Sequence, residues 1–131
     1  MIFGIGTDIV RIPRMADNLD RYGERFAARI LTRSEMATFT NSRQQASFLA
    51  KRFAAKEAAA KALGTGFRDG LNLHDIGVGN DALGKPSLVF SQQAQQILQK
   101  QGVGNSHLSL SDEREYAIAY VVLEAVNNKK C

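Results

Sequence analysis

Two acidic side chains lie at positions where the surrounding apolar pattern does not favour an acid, and the first of them is Asp8. Gly4, Gly6 and Asp8 alternate along an extended, mostly apolar segment, so in a strand these residues share one face. The two glycines leave space beside the carboxylate, which lets a ligand or another backbone approach closely. The alternative interpretation is a strand end, at which Asp8 caps the turn before the next helix.

The second acid, Glu57, falls on the apolar stripe of a long helical segment. Helical spacing defines this stripe by Leu49, Ala50, Phe53 and Ala54. Glu57 projects near its middle, where a carboxylate is unfavourable unless it is paired or bound to a metal. Lys61 lies one turn further along the same face. The alternative interpretation is therefore a Glu57–Lys61 ion pair, which would contribute only about 0.2–0.5 kcal/mol at a surface.

Together, Asp8 and Glu57 can offer hard oxygen ligands to one divalent cation. Few protein carboxylates, several waters and substrate phosphates form the usual coordination of Mg²⁺. Lys56, Lys61 and the loop Gly64-Thr65-Gly66 are candidates for holding the phosphates, although a short glycine-rich loop is also a common helix stop. The chain contains neither the GxxxxGK[ST] phosphate loop nor a GxGxxG dinucleotide motif. The residues thus indicate a magnesium–phosphate site of another design.

The elements that position these residues follow from the periodicity. We predict a strand over residues 2–10, a helix that begins at Pro13 and ends near Gly23, and a short helix after a capping box at residues 32–35. A second capping-box pattern at residues 42–45 predicts the start of the longest helix, which runs to Leu63 and ends at Gly64 or Gly66.

The second half of the chain has a different pattern, typical of short strands. We predict strands over residues 73–78, 87–90, 107–111 and 116–123, with a helix from Ser91 to about Gly102 between the second and third of them. Short connections favour antiparallel pairing of the last two strands. The prediction is one domain over residues 1–131 with an α+β fold, in which a small antiparallel sheet packs on the long helix.

Composition excludes several classes of protein. The chain has 131 residues, 44% of them hydrophobic and 23% charged, which is typical of one soluble globular domain. No apolar run approaches the roughly 18 residues of a membrane span, and we expect no signal peptide. Cys131 is the only cysteine, which rules out an intrachain disulfide and fits a reducing cytoplasm. His74 and His107 are too few and too far apart in sequence to indicate a zinc site.

The formal net charge of +4 favours an acidic or polyanionic partner. Aromatic residues are few and scattered, so a nucleic-acid-binding module is the second choice. A non-catalytic adaptor for an acidic protein is the third. Glu57 on an apolar stripe argues against both alternatives, because neither function requires an acid there.

Three segments carry a resemblance to a known family. The segments Gly6-Thr7-Asp8-Ile9-Val10, residues 52–66 (RFAAKEAAAKALGTG) and Gly84-Lys85-Pro86 resemble those of holo-[acyl-carrier-protein] synthases, the short bacterial type of 4′-phosphopantetheinyl transferase. The similarity runs through essentially the whole chain. It implies the fold of that family and a Mg²⁺-dependent transfer of 4′-phosphopantetheine from coenzyme A to a serine of apo-acyl carrier protein. The products would be holo-acyl carrier protein, for fatty acid biosynthesis, and adenosine 3′,5′-bisphosphate.

The resemblance also implies roles for individual residues. Asp8 and Glu57 would bind Mg²⁺, and Lys61 would contact the phosphates and help the leaving group depart. The residues around the 3′,5′-ADP portion would be Arg52, Lys56, Gly64, Thr65, Gly66, Lys85 and Pro86. Family members of this length are usually homotrimers with sites between subunits. Where many relatives carry Ser-His, this chain has Ser111-Asp112, so the general base stays open between a metal-bound water and a site carboxylate.

Arginines of the first helix are candidates for binding the carrier protein. Acyl carrier proteins are small and acidic, and Arg14, Arg21 and Arg25 fall on a different side of the helical segment from its apolar residues. We predict that these three residues dock the carrier. The alternative interpretation is an ordinary solvated basic face.

Overall fold

The computed structural model describes residues 1–68 and 70–126. Its strands are β1 (Ile2–Arg11), β2 (Ile76–Asn80), β3 (Pro86–Phe90), β4 (Val103–Glu113) and β5 (Tyr116–Ala125). Its helices are α1 (Ile12–Tyr22), α2 (Glu24–Ile30), α3 (Arg33–Thr40), α4 (Gln45–Leu63) and α5 (Gln92–Gln101). Cys131 lies outside the described residues.

Three strands form the main sheet, and α4 covers its inner face. The strand order is β1-β5-β4 with antiparallel pairing throughout, while β2 and β3 form a separate antiparallel hairpin. The central strand β5 directs small and branched apolar side chains at α4, and Ala117, Ala119 and Val121 are fully buried there. The predicted α+β architecture, with a small antiparallel sheet on a long helix, is confirmed.

The contact between β1 and α4 is a backbone contact, and it explains the two glycines of β1. A Cβ atom on Gly4 would lie 2.0 Å from the carbonyl oxygen of Ala62, and one on Gly6 would lie 2.1 Å from that of Ala58. Only glycine permits so close an approach. The alternating glycines of β1 therefore make room for the backbone of α4 rather than for a ligand.

The long helix begins two residues later than the sequence predicts. Ser42 does not cap α4; its Oγ accepts a hydrogen bond from the backbone nitrogen of Gln44 at 3.1 Å, and the helix begins at Gln45. The side chain of Ser42 thus closes a local turn, which is the competing use of serine near a helix start. The capping box at Thr32 and Glu35 is confirmed, with both reciprocal hydrogen bonds formed.

Two further elements differ from the prediction. Residues 73–75 form a 3₁₀ turn rather than the start of a strand, because Asn72 Oδ1 accepts from the amide of His74 and Asp75 Oδ2 accepts from the amide of Asn72, both at 2.9 Å. The strand begins at Ile76. The helix α2 is absent from the prediction; the positive φ of Gly23 (67°) ends α1 and lets a second helix follow at once.

The outer face of the main sheet is apolar and exposed. Ile5 and Ile9 of β1 are 55% and 59% exposed, and Ile118 and Tyr120 of β5 are 42% and 46% exposed. Single exposed apolar side chains are ordinary, but a contiguous patch is typical of an interaction surface. Among the described residues, none of the helices is both long and apolar enough to cross a membrane.

Candidate active site

The close packing of β1 on α4 brings Asp8 against the C-terminal part of that helix. Lys61 Nζ donates to Asp8 Oδ1 at 2.9 Å and to the carbonyl oxygen of Thr7 at 3.1 Å. The side chain of Asp8 is only 16% exposed, whereas that of Lys61 is 54% exposed. Asp8 does not cap the turn before α1, because β1 continues for three more residues. The strand-end interpretation is therefore wrong.

Glu57 lies one turn before Lys61 on α4 and is partly buried. Burial is the largest cause that raises the pKa of Glu57, the negative charge of Asp8 is the second, and Lys61 opposes both. The negative charge of Asp8 therefore acts on Glu57 across the contact between β1 and α4. Lys61 forms its ion pair with Asp8, so the interpretation of Glu57 as half of a surface Glu57–Lys61 pair is not the arrangement in this structure.

The donor set at this position suits a hard divalent cation with few protein ligands. Nowhere in residues 1–68 and 70–126 do three or more histidine, cysteine, aspartate or glutamate side chains group as a metal cluster. A pair of adjacent carboxylates with an exposed ammonium beside them fits Mg²⁺, which keeps several waters and binds substrate phosphates. Such a cation would also relieve the repulsion between Asp8 and Glu57.

The loop after α4 is a helix stop. Gly64 and Gly66 have positive φ values of 92° and 63°, and no atom lies within 4 Å of a Cβ built on either residue. The backbone conformation, rather than crowding, explains these glycines. Their amide groups both donate to the carbonyl oxygen of Ala60, so they are occupied in ending the helix. Thr65 Oγ1 contacts the carbonyl oxygen of Gly66 at 3.2 Å.

Arg52 and Lys56 lie on another side of α4 from Glu57 and Lys61. Lys56 has no exposed surface, and its Nζ donates to Glu35 Oε1 at 2.8 Å, to the carbonyl oxygen of Ile76 at 2.6 Å and to that of Leu73 at 3.1 Å. All three donors of the ammonium are used. This position differs from the one expected by resemblance, and we leave Lys56 out of the proposed coenzyme A contacts.

Arg52 is also largely buried, and its guanidinium carbon lies 4.4 Å from the centre of the Phe48 ring. Burial is the main cause that lowers the pKa of Arg52 and that of Lys56, and the charge of Glu35 opposes it in both. Glu35 is a residue that the sequence reasoning identified only as a cap. The sequence offered little indication of a second role for Glu35, because a capping box already explains a glutamate at that position.

Lys85 and Pro86 belong to the β2–β3 hairpin and line an open cleft of about 420 Å³. The cleft also includes Ser106 and His107 of β4 and Tyr120 of β5. Since β1 and β4 are the two opposite edges of the sheet, this cleft and the Asp8 carboxylate are not brought together within one chain.

The predicted docking arginines are exposed on α1 and α2. Arg14 and Arg21 line one shallow groove, and Arg21 and Arg25 line a second groove together with Arg29. Arg29 extends the basic surface, which we define as Arg14, Arg21, Arg25 and Arg29. The sequence signal for Arg29 is its spacing of four residues from Arg25, but only the unpredicted helix α2 makes that spacing meaningful.

The histidines and Asp112 lie away from Asp8. His107 Nε2 contacts Glu124 Oε2 at 2.5 Å on the outer sheet face, and His74 Nε2 contacts the carbonyl oxygen of Ala28 at 2.7 Å. Asp112 lies on β4, 3.9 Å from the ammonium of Lys51. Two strand spacings, about 10 Å, separate β4 from β1, so Asp112 does not reach the Asp8 carboxylate of its own chain.

Comparison with known proteins shows the family to which the chain is related. The family model of the 4′-phosphopantetheinyl transferase superfamily matches residues 4–121. The holo-[acyl-carrier-protein] synthase of Vibrio parahaemolyticus is 56% identical over 124 residues, which cover 95% of this chain and 98% of the relative. That of Nitrosococcus oceani is 57% identical over 95% of this chain and 81% of its own length.

Solved structures similar to this chain belong to the same family. The crystal structure of holo-[acyl-carrier-protein] synthase from Neisseria meningitidis has a TM-score of 0.91 and 46% identity, covering 95% of this chain and 99% of that one. The synthase from Bacillus anthracis, in complex with CoA (3′,5′-ADP), has a TM-score of 0.79 and 40% identity over 95% and 98% of the two chains. The chain therefore belongs to the 4′-phosphopantetheinyl transferase superfamily, within the family of holo-[acyl-carrier-protein] synthases.

Proposed function

We propose that this enzyme transfers 4′-phosphopantetheine from coenzyme A to a serine of apo-acyl carrier protein, with Mg²⁺ as its metal. The observation that carries the proposal is the group formed by Asp8, Glu57 and Lys61, in which two carboxylates and an exposed ammonium meet beside an α4–β1 contact that only glycines permit. A solved relative is described in complex with CoA (3′,5′-ADP), which supports coenzyme A as the donor.

Asp8 and Glu57 would hold the cation. When bound, Mg²⁺ supplies positive charge that neutralises the phosphate oxygens during phosphoryl transfer. The burial of Glu57 and the neighbouring charge of Asp8 make a cation favourable there, because it removes the repulsion that raises the pKa of Glu57. The chain supplies no nucleophile in this proposal, since positioning and electrostatics suffice for phosphoryl transfer.

Lys61 would act on the leaving group. In the reaction, the serine oxygen of the carrier forms a bond to the β-phosphorus of coenzyme A, and the bond to the oxygen of the α-phosphate breaks, releasing 3′,5′-ADP. The ammonium of Lys61 is 54% exposed although its Nζ is hydrogen-bonded to β1, so one face remains open to the departing phosphate. The serine proton would pass to water or to a site carboxylate.

The remaining coenzyme A contacts are assigned to Arg52, Lys85, Pro86 and the loop of residues 64–66. Lys85 and Pro86 lie beside β4, at the opposite sheet edge from Asp8, so these groups would meet in one site most directly across an interface between two chains. We therefore propose a homo-oligomer, expected to be a homotrimer, in which the exposed outer sheet face around Ile5 and Ile118 packs against another subunit. Sedimentation analysis that finds only monomers would contradict this.

The basic surface on α1 and α2 would bind the acidic carrier protein. Arg14, Arg21 and Arg25 are exposed there, and opposite charge steers such encounters more than it tightens them. A role in fatty acid biosynthesis and a cytoplasmic location stay predictions.

The test is the intact mass of apo-acyl carrier protein after incubation with this protein, coenzyme A and Mg²⁺. We expect a gain of one phosphopantetheine, which is lost on chelation and lost when the carrier serine is replaced by alanine. Asp8→Asn and Glu57→Gln should each reduce the rate at least 100-fold, about the contribution of a main electrostatic group. No mass gain with a carrier that another transferase modifies would refute the proposed function.

A further inference from the structure

The β2–β3 hairpin depends on side chains of α3 and α4 for its position. A two-stranded hairpin is marginal by itself, and β2 pairs only with β3 among the described strands. The hairpin closes with the amide of Asp81 donating to the carbonyl oxygen of Lys85 at 2.9 Å. Because hydrogen-bonded positions alternate along an antiparallel pair, Ile76, Val78 and Asn80 present their backbone groups to the free edge.

Three charged side chains cover that edge. Glu35 Oε2 accepts a hydrogen bond from the amide of Val78 at 2.8 Å, and Lys56 Nζ donates to the carbonyl oxygen of Ile76 at 2.6 Å. Arg52 Nη2 lies 3.5 Å from Asn80 Oδ1. Glu35 and Lys56 thus satisfy backbone groups at two outward positions of β2, and Arg52 contacts the side chain at the third.

Glu35 connects the three. Its carboxylate is buried, with Oε1 accepting from Lys56 Nζ at 2.8 Å and Oε2 lying 3.7 Å from Arg52 Nε. The Nε atom of Arg52 is buried without a hydrogen-bond partner, so the charge of Glu35 is its compensation. Glu35 itself is fixed at the start of α3 by the reciprocal capping box with Thr32.

Side-chain hydrogen bonds connect the turn of the hairpin to the end of β2. Asn80 Nδ2 donates to the carbonyl oxygen of Gly84 at 3.0 Å, and Asp81 Oδ1 accepts from the amides of Leu83 and Lys85 at 2.9 Å. The tip is therefore stiff, and a displacement at Val78 or Asn80 is transmitted to Lys85.

We propose that Glu35 is a positioning residue of the coenzyme A site, which holds the β2–β3 hairpin, and with it Lys85 and Pro86, against α4. The inference rests on the proposed function for the identity of the ligand. Glu35 contacts no substrate in this proposal; it acts through the free edge of β2. Lys56 and Arg52 also hold β2 in place, each from a different turn of α4.

The test uses Glu35→Asp, which keeps the negative charge but is shorter by one methylene, about 1.5 Å. The shorter carboxylate still neutralises Lys56 but cannot reach Lys56 and Val78 together. We expect the KM for coenzyme A to rise about tenfold, the loss of one charge-assisted hydrogen bond. The kcat and the KM for the carrier protein should change less than about twofold. The control is Glu24→Asp, at an exposed position at the start of α2.

A second readout is amide hydrogen exchange in peptides that cover residues 76–90. Exchange there should be faster in Glu35→Asp than in the wild type, with the peptides of β1 and β5 unchanged. An unchanged KM for coenzyme A overturns the inference. So does an equal change in both KM values together with faster exchange throughout the chain, because that pattern describes general support of the fold.

The double variant Glu35→Gln/Lys56→Met covers the case in which Glu35→Asp does not fold. Replacing a buried ion pair by neutral groups of similar size is often tolerated, and the amide oxygen that Glu35→Gln introduces can still accept a hydrogen bond from Arg52. This variant loses both carbonyl contacts of Lys56. We expect the same tenfold rise in the KM for coenzyme A, and a KM equal to that of the wild type would overturn the inference.

Calorimetric binding of coenzyme A separates this inference from the proposed function. Wild-type protein that binds coenzyme A but transfers nothing refutes the proposed reaction. The affinity of Glu35→Asp for coenzyme A still tests whether Glu35 positions the hairpin. If the wild type binds no coenzyme A, the proposed function fails. In either case, hairpin exchange in Glu35→Asp that is as slow as in the wild type refutes the positioning role.

Discussion

Gly6→Ala tests whether the active-site geometry depends on the backbone contact between β1 and α4. The added Cβ would lie 2.1 Å from the carbonyl oxygen of Ala58 and 2.6 Å from the backbone nitrogen of Ala62. Both are backbone atoms of a helix that is buried on most sides, so neither can rotate away. To reach an ordinary contact distance, β1 must move by at least about 1.3 Å.

Two consequences follow from that displacement. Overpacking of this kind destabilises by about 1–3 kcal/mol, which for a domain of this size lowers Tm by about 3–10 °C. Asp8 lies two residues further along the same face of β1, and its 2.9 Å contact with Lys61 would be lost. A misplacement of about 1 Å at a catalytic group reduces the rate by about 100-fold.

The assay combines thermal unfolding with the mass-detected transfer of phosphopantetheine. Gly104→Ala is the matched control, because Gly104 is also a strand glycine but its Cβ would meet its nearest neighbour at 3.6 Å, an ordinary contact. The control should keep its activity, and its Tm should be unchanged or slightly raised. Gly6→Ala with a Tm within 2 °C of the wild type, about the error of such a comparison, and with activity within threefold would refute the reasoning.

Three other predictions concern buried and surface charges. Lys56→Met leaves the carboxylate of Glu35 buried without its nearest cation, so urea unfolding should show a free energy of unfolding lower by about 3–5 kcal/mol. Adding Glu35→Gln to this variant should largely restore the stability. If the losses of the two single variants simply add in the double variant, the pairing is contradicted. Arg14→Glu together with Arg21→Glu should weaken carrier binding, more so at low salt, and leave coenzyme A affinity nearly intact; equal losses for both ligands would exclude that division. Because burial and then Asp8 raise the pKa of Glu57, its contribution to stability in metal-free protein is greatest below the ordinary pKa and is lost as the pH rises through the raised value. Glu57→Gln should therefore remove that part of the fall in Tm with pH, and an unchanged pH profile would show that Glu57 is not perturbed.

Local patterns predicted most of the elements, and the misses have local causes. Pro13 and Gly23 marked both ends of α1, and the capping box at residues 32–35 marked the start of α3. The same capping-box pattern at Ser42 failed, because a serine side chain near a helix start can close a turn instead. Sequence alone does not distinguish these two uses.

The glycines of β1 show which part of a contact a local sequence pattern can predict. Alternating Gly4 and Gly6 next to Asp8 predicted a close approach on one face of a strand, which the structure contains. Whether a ligand or a backbone makes that approach depends on a helix some fifty residues later in the chain. The approach is made by α4, and it carries Lys61 to Asp8.

Residue type and local spacing were enough to predict the α+β class and the family resemblance, and they made Asp8 and Glu57 candidates for one site. Only the tertiary structure separated Lys56 from Glu57. These neighbours point about 100° apart on α4, and the periodicity could not say which direction is core, since the helix is buried on nearly all sides. Packing of α3 and β2 made Lys56 a buried structural cation, while packing of β1 placed Glu57 beside Asp8.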